Sequence, residues 1–430
     1  MAQIAVLLDP DEQMSPHWLG WLEPRAWVCH VARSEEEAWR LCEGHLPQVL
    51  LTVTRSEIGA HFDFFYRIRR KLPGRIQPVI VAKTSADAGI DRARALDSGA
   101  DIVLVDMEPP DDFAVQLEEA IKRASENSGM VVRFWGVRGS IPAPGPQTVR
   151  TGGNTSCVEL RAEGELMILD AGTGIRPLGL RLQEEFGGQK LDATLLITHT
   201  HWDHIQGFPF FAPAYRPGNH LRILGYEGSK RGLEGTLSGQ MESTYFPVSL
   251  RQIPSHLEFR EMKELSFQIG RVAVEAAFAH HPGITMGYRL RTPAGTVVYL
   301  PDHEVYSRES ILKMAQFQQA GEAAELADHA REQDEKIAQF IRGADLLIMD
   351  SQYLAEEYPS HVGWGHSCVD DVVETAVAGG VKRLRLFHHD PAHNDDTLDQ
   401  KLEAARTVAQ AMQSDLDIDL AREGDTLTLG

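Results

Sequence analysis

Residues 195–204 read LLITHTHWDH, an apolar run that ends in four side chains able to bind metal: His199, His201, Asp203 and His204. Leu195, Leu196 and Ile197 read as a buried strand. Residues two apart on an extended tail point the same way, so His199 and His201 share a face. Asp203 and His204 follow in the turn toward the next element and face a neighbouring point. Imidazole suits zinc and similar divalent ions, and the carboxylate widens the choice to manganese or iron. A purely structural reading leaves four polar groups gathered at one strand end without a cause.

Bulk composition frames this motif. The chain has 430 residues, which predicts two domains. It is 43% hydrophobic and 24% charged, the balance of a globular protein. No apolar run approaches the roughly 20 residues of a membrane span. The N-terminus lacks the pattern of a secretion signal. Cys29, Cys42, Cys157 and Cys368 are scattered and form no CxxC pair, which fits a reduced, cytoplasmic setting. The net charge is -20. Residues 1–130 hold 14 basic and 21 acidic side chains, and residues 131–430 hold 28 and 41. Neither part has the basic excess that tracks a long phosphate backbone. A nucleotide-sized anion stays compatible, because a bound cation dominates its own site.

Residues 1–126 alternate strand-like and helix-like patterns and predict a parallel α/β sheet. Strands are expected at IAVLLD, QVLLTV, PVIVAK and DIVLVD, with helices at SEEEAWRLCEG, FDFFYRIRRKLPG, AGIDRARALDSGA and DDFAVQLEEAIKRAS. The order resembles the receiver domain of response regulators, which implies a flavodoxin-like sheet. It departs from that family where phosphotransfer needs it. Thr52, Val53 and Thr54 stand where an acceptor aspartate is expected, and Asp106 replaces a lysine, although Asp9 and Asp11 survive. Neither Val nor Thr replaces a carboxylate in acyl-phosphate chemistry. The expectation is a degenerate receiver, joined by the polar linker SENSG at 125–129 to a second domain over 131–430.

That second domain opens with short strands and Gly/Pro turns, then turns helical at 308–341, 367–379 and 398–413. The motif HTHWDH with Gly207 resembles the signature of the metallo-β-lactamase fold superfamily, and further motifs follow in order. Asp170 in MILDAGTG matches an aspartate that touches a ligand rather than metal. His281 in HHPGITMGYRL, Asp302 in VVYLPDHE and His388 in RLFHHDPAH match the remaining ligands, with His389 the alternative to His388. The resemblance implies an αββα domain with two divalent ions, zinc first and manganese or iron as alternatives. One ion falls to His199, His201 and His281, and the other to Asp203, His204 and His388. Asp302 and a hydroxide bridge them. His280 and His303 adjoin ligands as neighbours.

An aspartate at 302, in place of a cysteine, disfavours β-lactamases and fits phosphodiesterases, nucleases and thioesterases. The stretch from ADLLIMDSQY to GWGHS resembles the ribonuclease Z and small-phosphodiesterase branch. There a histidine, here His366, assists the leaving oxygen. Arg138, Ser140 and Asn154 are candidates for phosphate contacts, and Tyr245 and Phe246 for a wall against a base. The glycines of DAGTGIRPLG fail dinucleotide-loop spacing. A thin apolar stripe (Ile311, Met314, Phe317, Leu326, Ile337, Phe340) would cover the site or pair with a second copy. The expected function is hydrolysis of a small phosphodiester, such as a cyclic nucleotide, with Asp203, Asp302 and His366 catalytic. The alternatives are a ribonuclease or DNA nuclease, a thioesterase, and a non-catalytic scaffold. The expected partners are a small substrate and a second copy, with no membrane.

Overall fold

The computed structural model describes residues 3–10, 15–53, 60–72, 77–83, 94–96, 98–104, 112–126, 129–226, 231–306 and 320–430. Thr54, Asp11, Asp106, Ile311, Met314 and Phe317 lie outside them, as does the side chain of Leu326. Among the described residues the strands form three sheets. The first is parallel and joins β1 (Gln3–Leu8), β2 (Trp27–Ala32), β3 (Val49–Val53), β4 (Val79–Lys83) and β5 (Ile102–Leu104). Its order, β2-β1-β3-β4-β5, is flavodoxin-like.

The sequence reading missed one strand here. The helix Ser15–Leu22 and strand β2 lie between the expected first strand and first helix. The helix SPHWLGWL carries Pro16 and an internal glycine, and β2 is a half-exposed edge strand, so neither shows clean periodicity. The central strands β1, β3 and β4 are nearly continuous apolar runs because helices cover both faces.

From Met130 onward two seven-stranded sheets pack face to face. The first contains β6 (Met130–Gly136), β7 (Cys157–Ala162), β8 (Glu165–Leu169), β9 (Asp192–Leu196), β10 (His220–Tyr226) and β11 (His256–Met262). The second contains β12 (Ser266–Ile269), β13 (Val272–Phe278), β14 (Met286–Thr292), β15 (Gly295–Leu300), β16 (Leu346–Asp350), β17 (Arg383–Phe387) and β18 (Asp417–Leu420). The last strand, β19 (Thr426–Leu429), returns antiparallel to β6 and closes the edge of the first sheet. The strands β8 to β11 run parallel, as do β15 to β18, so their carboxyl ends gather at one crest.

Phe134, Leu169, Tyr288, Tyr299 and Phe387 meet between the sheets. Helix Ile175–Phe186 covers the outer face of the first sheet through Ile175, Leu178 and Leu182. Helices Ala320–Ile341, Val369–Ala378 and Asp395–Ala411 cover the second. The layers are therefore αββα. Ile337 and Phe340, the two described side chains of the expected stripe, pack on the second sheet. A full residue of such apolar burial contributes about 1.5–3 kcal/mol, enough to fix the helix.

A charged seam joins the N-terminal sheet to the sandwich. Arg69 is wholly buried, donating to Gly99 O and Asp101 Oδ2, the latter at 2.7 Å. Arg271, in the β12–β13 turn, donates to Gln77 O and lies 3.3 Å from Glu163. All four cysteines are free, and no described helix is long and apolar enough to cross a membrane.

Candidate metal centre

Five strand ends at the sandwich crest supply the site. Asp170 follows β8, His199 follows β9, Asp302 follows β15, Asp350 ends β16 and His388 follows β17. Ligands collect at such carboxyl ends because the chain turns there and leaves a crevice. His201 caps the short helix Trp202–Ile205, which swings Asp203 and His204 inward and leaves Trp202 76% exposed. Asp170 and His388 are non-glycine residues with φ of 60° and 56°. Holding each there costs about 1–3 kcal/mol, which surrounding contacts must offset. One contact depends on a glycine: a Cβ at Gly139 would lie 2.4 Å from the His388 ring.

The two oxygens of Asp302 face different groups. Oδ2 lies 3.7 Å from His199 Nε2 and 3.6 Å from His281 Nε2, which is itself 3.0 Å from His201 Nδ1. Oδ1 lies 3.0 Å from His204 Nε2 and 3.4 Å from His388 Nε2, and Asp203 Oδ2 is 3.4 and 3.1 Å from the same nitrogens. Two ligands bound about 2.0–2.1 Å from one tetrahedral ion lie about 3.3 Å apart, so these spacings fit divalent metal. Orphaned atoms point the same way: His199 Nε2, His204 Nε2 and Asp302 Oδ1 are buried without a hydrogen-bond partner. Unpaired buried polar atoms are costly, and convergent ones ask for a shared cation. The residues therefore fit divalent ions, with His199, His201 and His281 forming one set of ligand atoms and Asp203, His204 and His388 another.

The second nitrogens of these rings are oriented by the protein. His204 Nδ1 donates to Asp170 Oδ2 at 2.8 Å, and Asp170 also accepts from Thr198 N and Tyr299 Oη. His281 Nδ1 donates to Gly365 O at 2.9 Å, and His388 Nδ1 to Gln352 Oε1 at 3.0 Å. Such partners fix tautomer and orientation. Ser140 N donates to Asp203 Oδ2 at 2.7 Å.

Charge follows the same geometry. Burial would raise the Asp203 carboxyl, but His204 and His388 outweigh it and hold it well below the usual range. Asp302 behaves likewise, with burial opposed by His204, His388 and His199. Burial, helped by the neighbouring imidazoles, pushes His199 well down, and burial pushes His281 down to about 4. Such rings stay neutral, the state a metal ligand needs.

His366 stands over this cluster, its ring stacked 4.8 Å from that of His388. Its Nδ1 is 2.7 Å from Asp350 Oδ2. Burial works to lower it, yet Asp350, Asp302 and Asp203 together push it up to about 9. Its atoms also fall within ligand reach of His281 and Asp302, and of Asp350 and His388.

Other sequence candidates lie elsewhere. Arg138 is corrected as a phosphate contact: it is fully buried, and its guanidinium donates to the carbonyls of Gly152, Asp390 and His393. The Asn154 amide donates to Glu423 Oε2 at 2.9 Å. Both tie the β6–β7 loop to later loops. His389 is buried away from the cluster, with Nε2 3.0 Å from Ala421 O. His280 stacks on Tyr306, and burial pushes His303 down to about 3. Tyr245 is 75% exposed and Phe246 packs edge-on to Phe210 at 5.3 Å; neither touches the cluster. The sequence reading missed Asp350, Gln352 and Gly139. Asp350 carried a usable signal, because ADLLIMD repeats the apolar-run-then-acid pattern of MILD.

Two sheets faced by helices, with histidines and aspartates at one crest, give residues 130–430 the αββα architecture that the resemblance to the metallo-β-lactamase fold implies. Residues 167–321 match the family described as Beta-lactamase superfamily domain. A ribonuclease Z of Gemmatimonas aurantiaca is 24% identical over 329 residues, 70% of this chain and 96% of that one. A ribonuclease Z of Natronomonas pharaonis is 26% identical over 294 residues, 60% and 86% of the two chains. The metallo-beta-lactamase fold protein YhfI from Bacillus subtilis is 18% identical, covers 70% of this chain and 99% of its own, and superposes with a TM-score of 0.47.

Proposed function

We propose that this chain is a dinuclear, metal-dependent phosphodiesterase acting on a small phosphodiester, with a cyclic nucleotide as the first candidate. The observation that carries the reading is the division of Asp302 between two ligand sets, with His366 held above them. His199, His201 and His281 would hold one ion, and Asp203, His204 and His388 the other, with Asp302 shared. Zinc suits the histidine-rich first set, and manganese or iron suits the carboxylate in the second. A bound pair would supply Lewis acidity, an acidified water and neutralisation of phosphate charge.

The chain's own groups supply the rest. Asp350 fixes the His366 tautomer by accepting from Nδ1, which leaves Nε2 to hold a proton. Held this way, His366 would donate from Nε2 to the leaving oxygen. Asp170 and Gln352 keep the rings of His204 and His388 from turning. The net charge of the 131–430 segment favours a small anion over a long one. We further propose that residues 1–126 and 131–430 are separate folding units and that the first is a receiver that has lost phosphotransfer.

The test is hydrolysis of bis-p-nitrophenyl phosphate and cyclic AMP by protein of measured zinc or manganese content. Activity that rises with occupancy supports the reading, and a metal-loaded protein inert on every phosphodiester overturns it. A second reading, cleavage of RNA, is favoured by the relatives named ribonuclease Z. It predicts tRNA binding with a steep salt dependence.

A further inference from the structure

The loop that carries His366 is held by one carboxylate that the proposed chemistry does not use. Glu304 lies two residues beyond Asp302 and is 1% exposed. Its Oε1 accepts from Gly363 N at 2.8 Å and from the Tyr358 hydroxyl, and its Oε2 accepts from Gly365 N at 2.8 Å. These three hydrogen bonds fasten residues 358–365 to the end of β15. Two more bonds lock the other side: Glu304 N donates to His280 O at 2.8 Å, and the Ser367 hydroxyl donates to His303 O at 2.6 Å.

Gly365 links this clamp to two functional rings. Its carbonyl accepts from His281 Nδ1, and the next residue is His366. It has φ +88°, and a Cβ there would lie 2.3 Å from His281 Nδ1, so the loop passes as close to that ring as a chain can. A shift of the loop would move the carbonyl that orients His281 and the histidine aimed at the leaving oxygen. We infer that Glu304 is a positioning residue, which sets His366 and the His281 ring by gripping the amides of Gly363 and Gly365. The inference rests on the phosphodiesterase reading for its effect on rate, but not for its effect on the loop.

The test compares wild type with Glu304→Gln at saturating zinc. A glutamine turns one acceptor into a donor facing a donor, so one side of the grip fails. Exchange of the Gly363 and Gly365 amides is slow in the wild type and accelerates at least about tenfold in the variant, because their protection comes from this carboxylate. With bis-p-nitrophenyl phosphate, kcat falls about 10- to 100-fold while KM holds. Added to His366→Ala, Glu304→Gln lowers kcat by much less than it does alone, since only the part of its effect that passes through His281 remains. Unchanged amide exchange overturns the inference, as does a kcat loss that multiplies with that of His366→Ala. Glu304→Asp, which keeps the charge and withdraws the oxygens, repeats the comparison if the glutamine variant does not fold. A wild type without phosphodiesterase activity refutes the function proposed above and leaves amide exchange to decide on Glu304.

Discussion

At the carboxyl end of the N-terminal sheet, Asp9 follows β1 and Thr52 lies in β3, both buried. At the carboxyl end of the sandwich, Asp170, His199, Asp302, Asp350 and His388 hold the corresponding places on their strands. The two crests share a topology in which parallel strands end together. They differ in what the buried polar atoms face. Asp302 is ringed by imidazoles on both oxygens, whereas the Thr52 hydroxyl is buried with no partner among the described residues. Topology supplies the crevice in both cases, and only a full set of convergent ligands turns it into a site.

The sharpest break of that comparison is at the shared ligand. Asp302→Ala removes one contact from each set, so metal content should fall from two ions and kcat by about 10³-fold or more, a loss of about 4 kcal/mol in transition-state stabilisation. Inductively coupled plasma measurement beside kinetics checks it, and a variant retaining both ions and most activity would show that Asp302 does not bridge. Chelation comes next. An ion present at about 1,000 times its dissociation constant stabilises the folded state by about 4 kcal/mol. EDTA should therefore lower the unfolding transition of the sandwich and leave that of the N-terminal sheet in place, as read by calorimetry. A single transition that moves as one would instead make the two sheets one cooperative unit through the Arg271 seam.

A third effect lies beneath the site. Lys401 is fully buried and donates to Ser351 O and Gln352 O at 2.8 and 2.7 Å, under the residue that orients His388. Burial pushes it down to about 8, against about 10.4 in the unfolded chain. Below pH 8 both states are protonated and the folded state bears the whole desolvation cost. Between those values the unfolded chain binds more protons, so stability rises with pH, by about 3 kcal/mol in all. Lys401→Met should remove that rise, and denaturant titrations of both proteins at pH 7 and 10 measure it.

Much of this arrangement was legible in the residues because metal ligands come with short, fixed spacings. HTHWDH set four candidate ligands side by side, and the apolar runs before Asp302 and His388 marked two more strand ends. What escaped was set by distant packing. Nothing near Arg138 in sequence tells that its guanidinium reaches Asp390 and His393, whose carbonyls come from 252 and 255 residues away. Glu304 carries no signal in the sequence, since its partners at 358, 363 and 365 sit beyond a long helix. Strand β2 was hidden for the opposite reason: half-exposed at a sheet edge, it lacks the contrast between faces that periodicity needs.

The smallest predicted effect separates the two crests most directly. If the N-terminal crest has no ligand to hold, the buried Thr52 hydroxyl is only a cost. Thr52→Val removes a hydroxyl that has no partner and puts a methyl in nearly the same volume. It should raise stability by about 1 kcal/mol, the usual penalty of an unsatisfied buried group, and leave kcat unchanged. The matching change at the sandwich, Asp170→Asn, weakens the acceptor that orients His204 Nδ1 and should lower metal affinity about 10- to 100-fold. Urea unfolding of Thr52→Val decides the point. A loss of stability there would mean that the hydroxyl is satisfied in solution, by water or by an unseen ligand, and that the N-terminal crest is still a binding site.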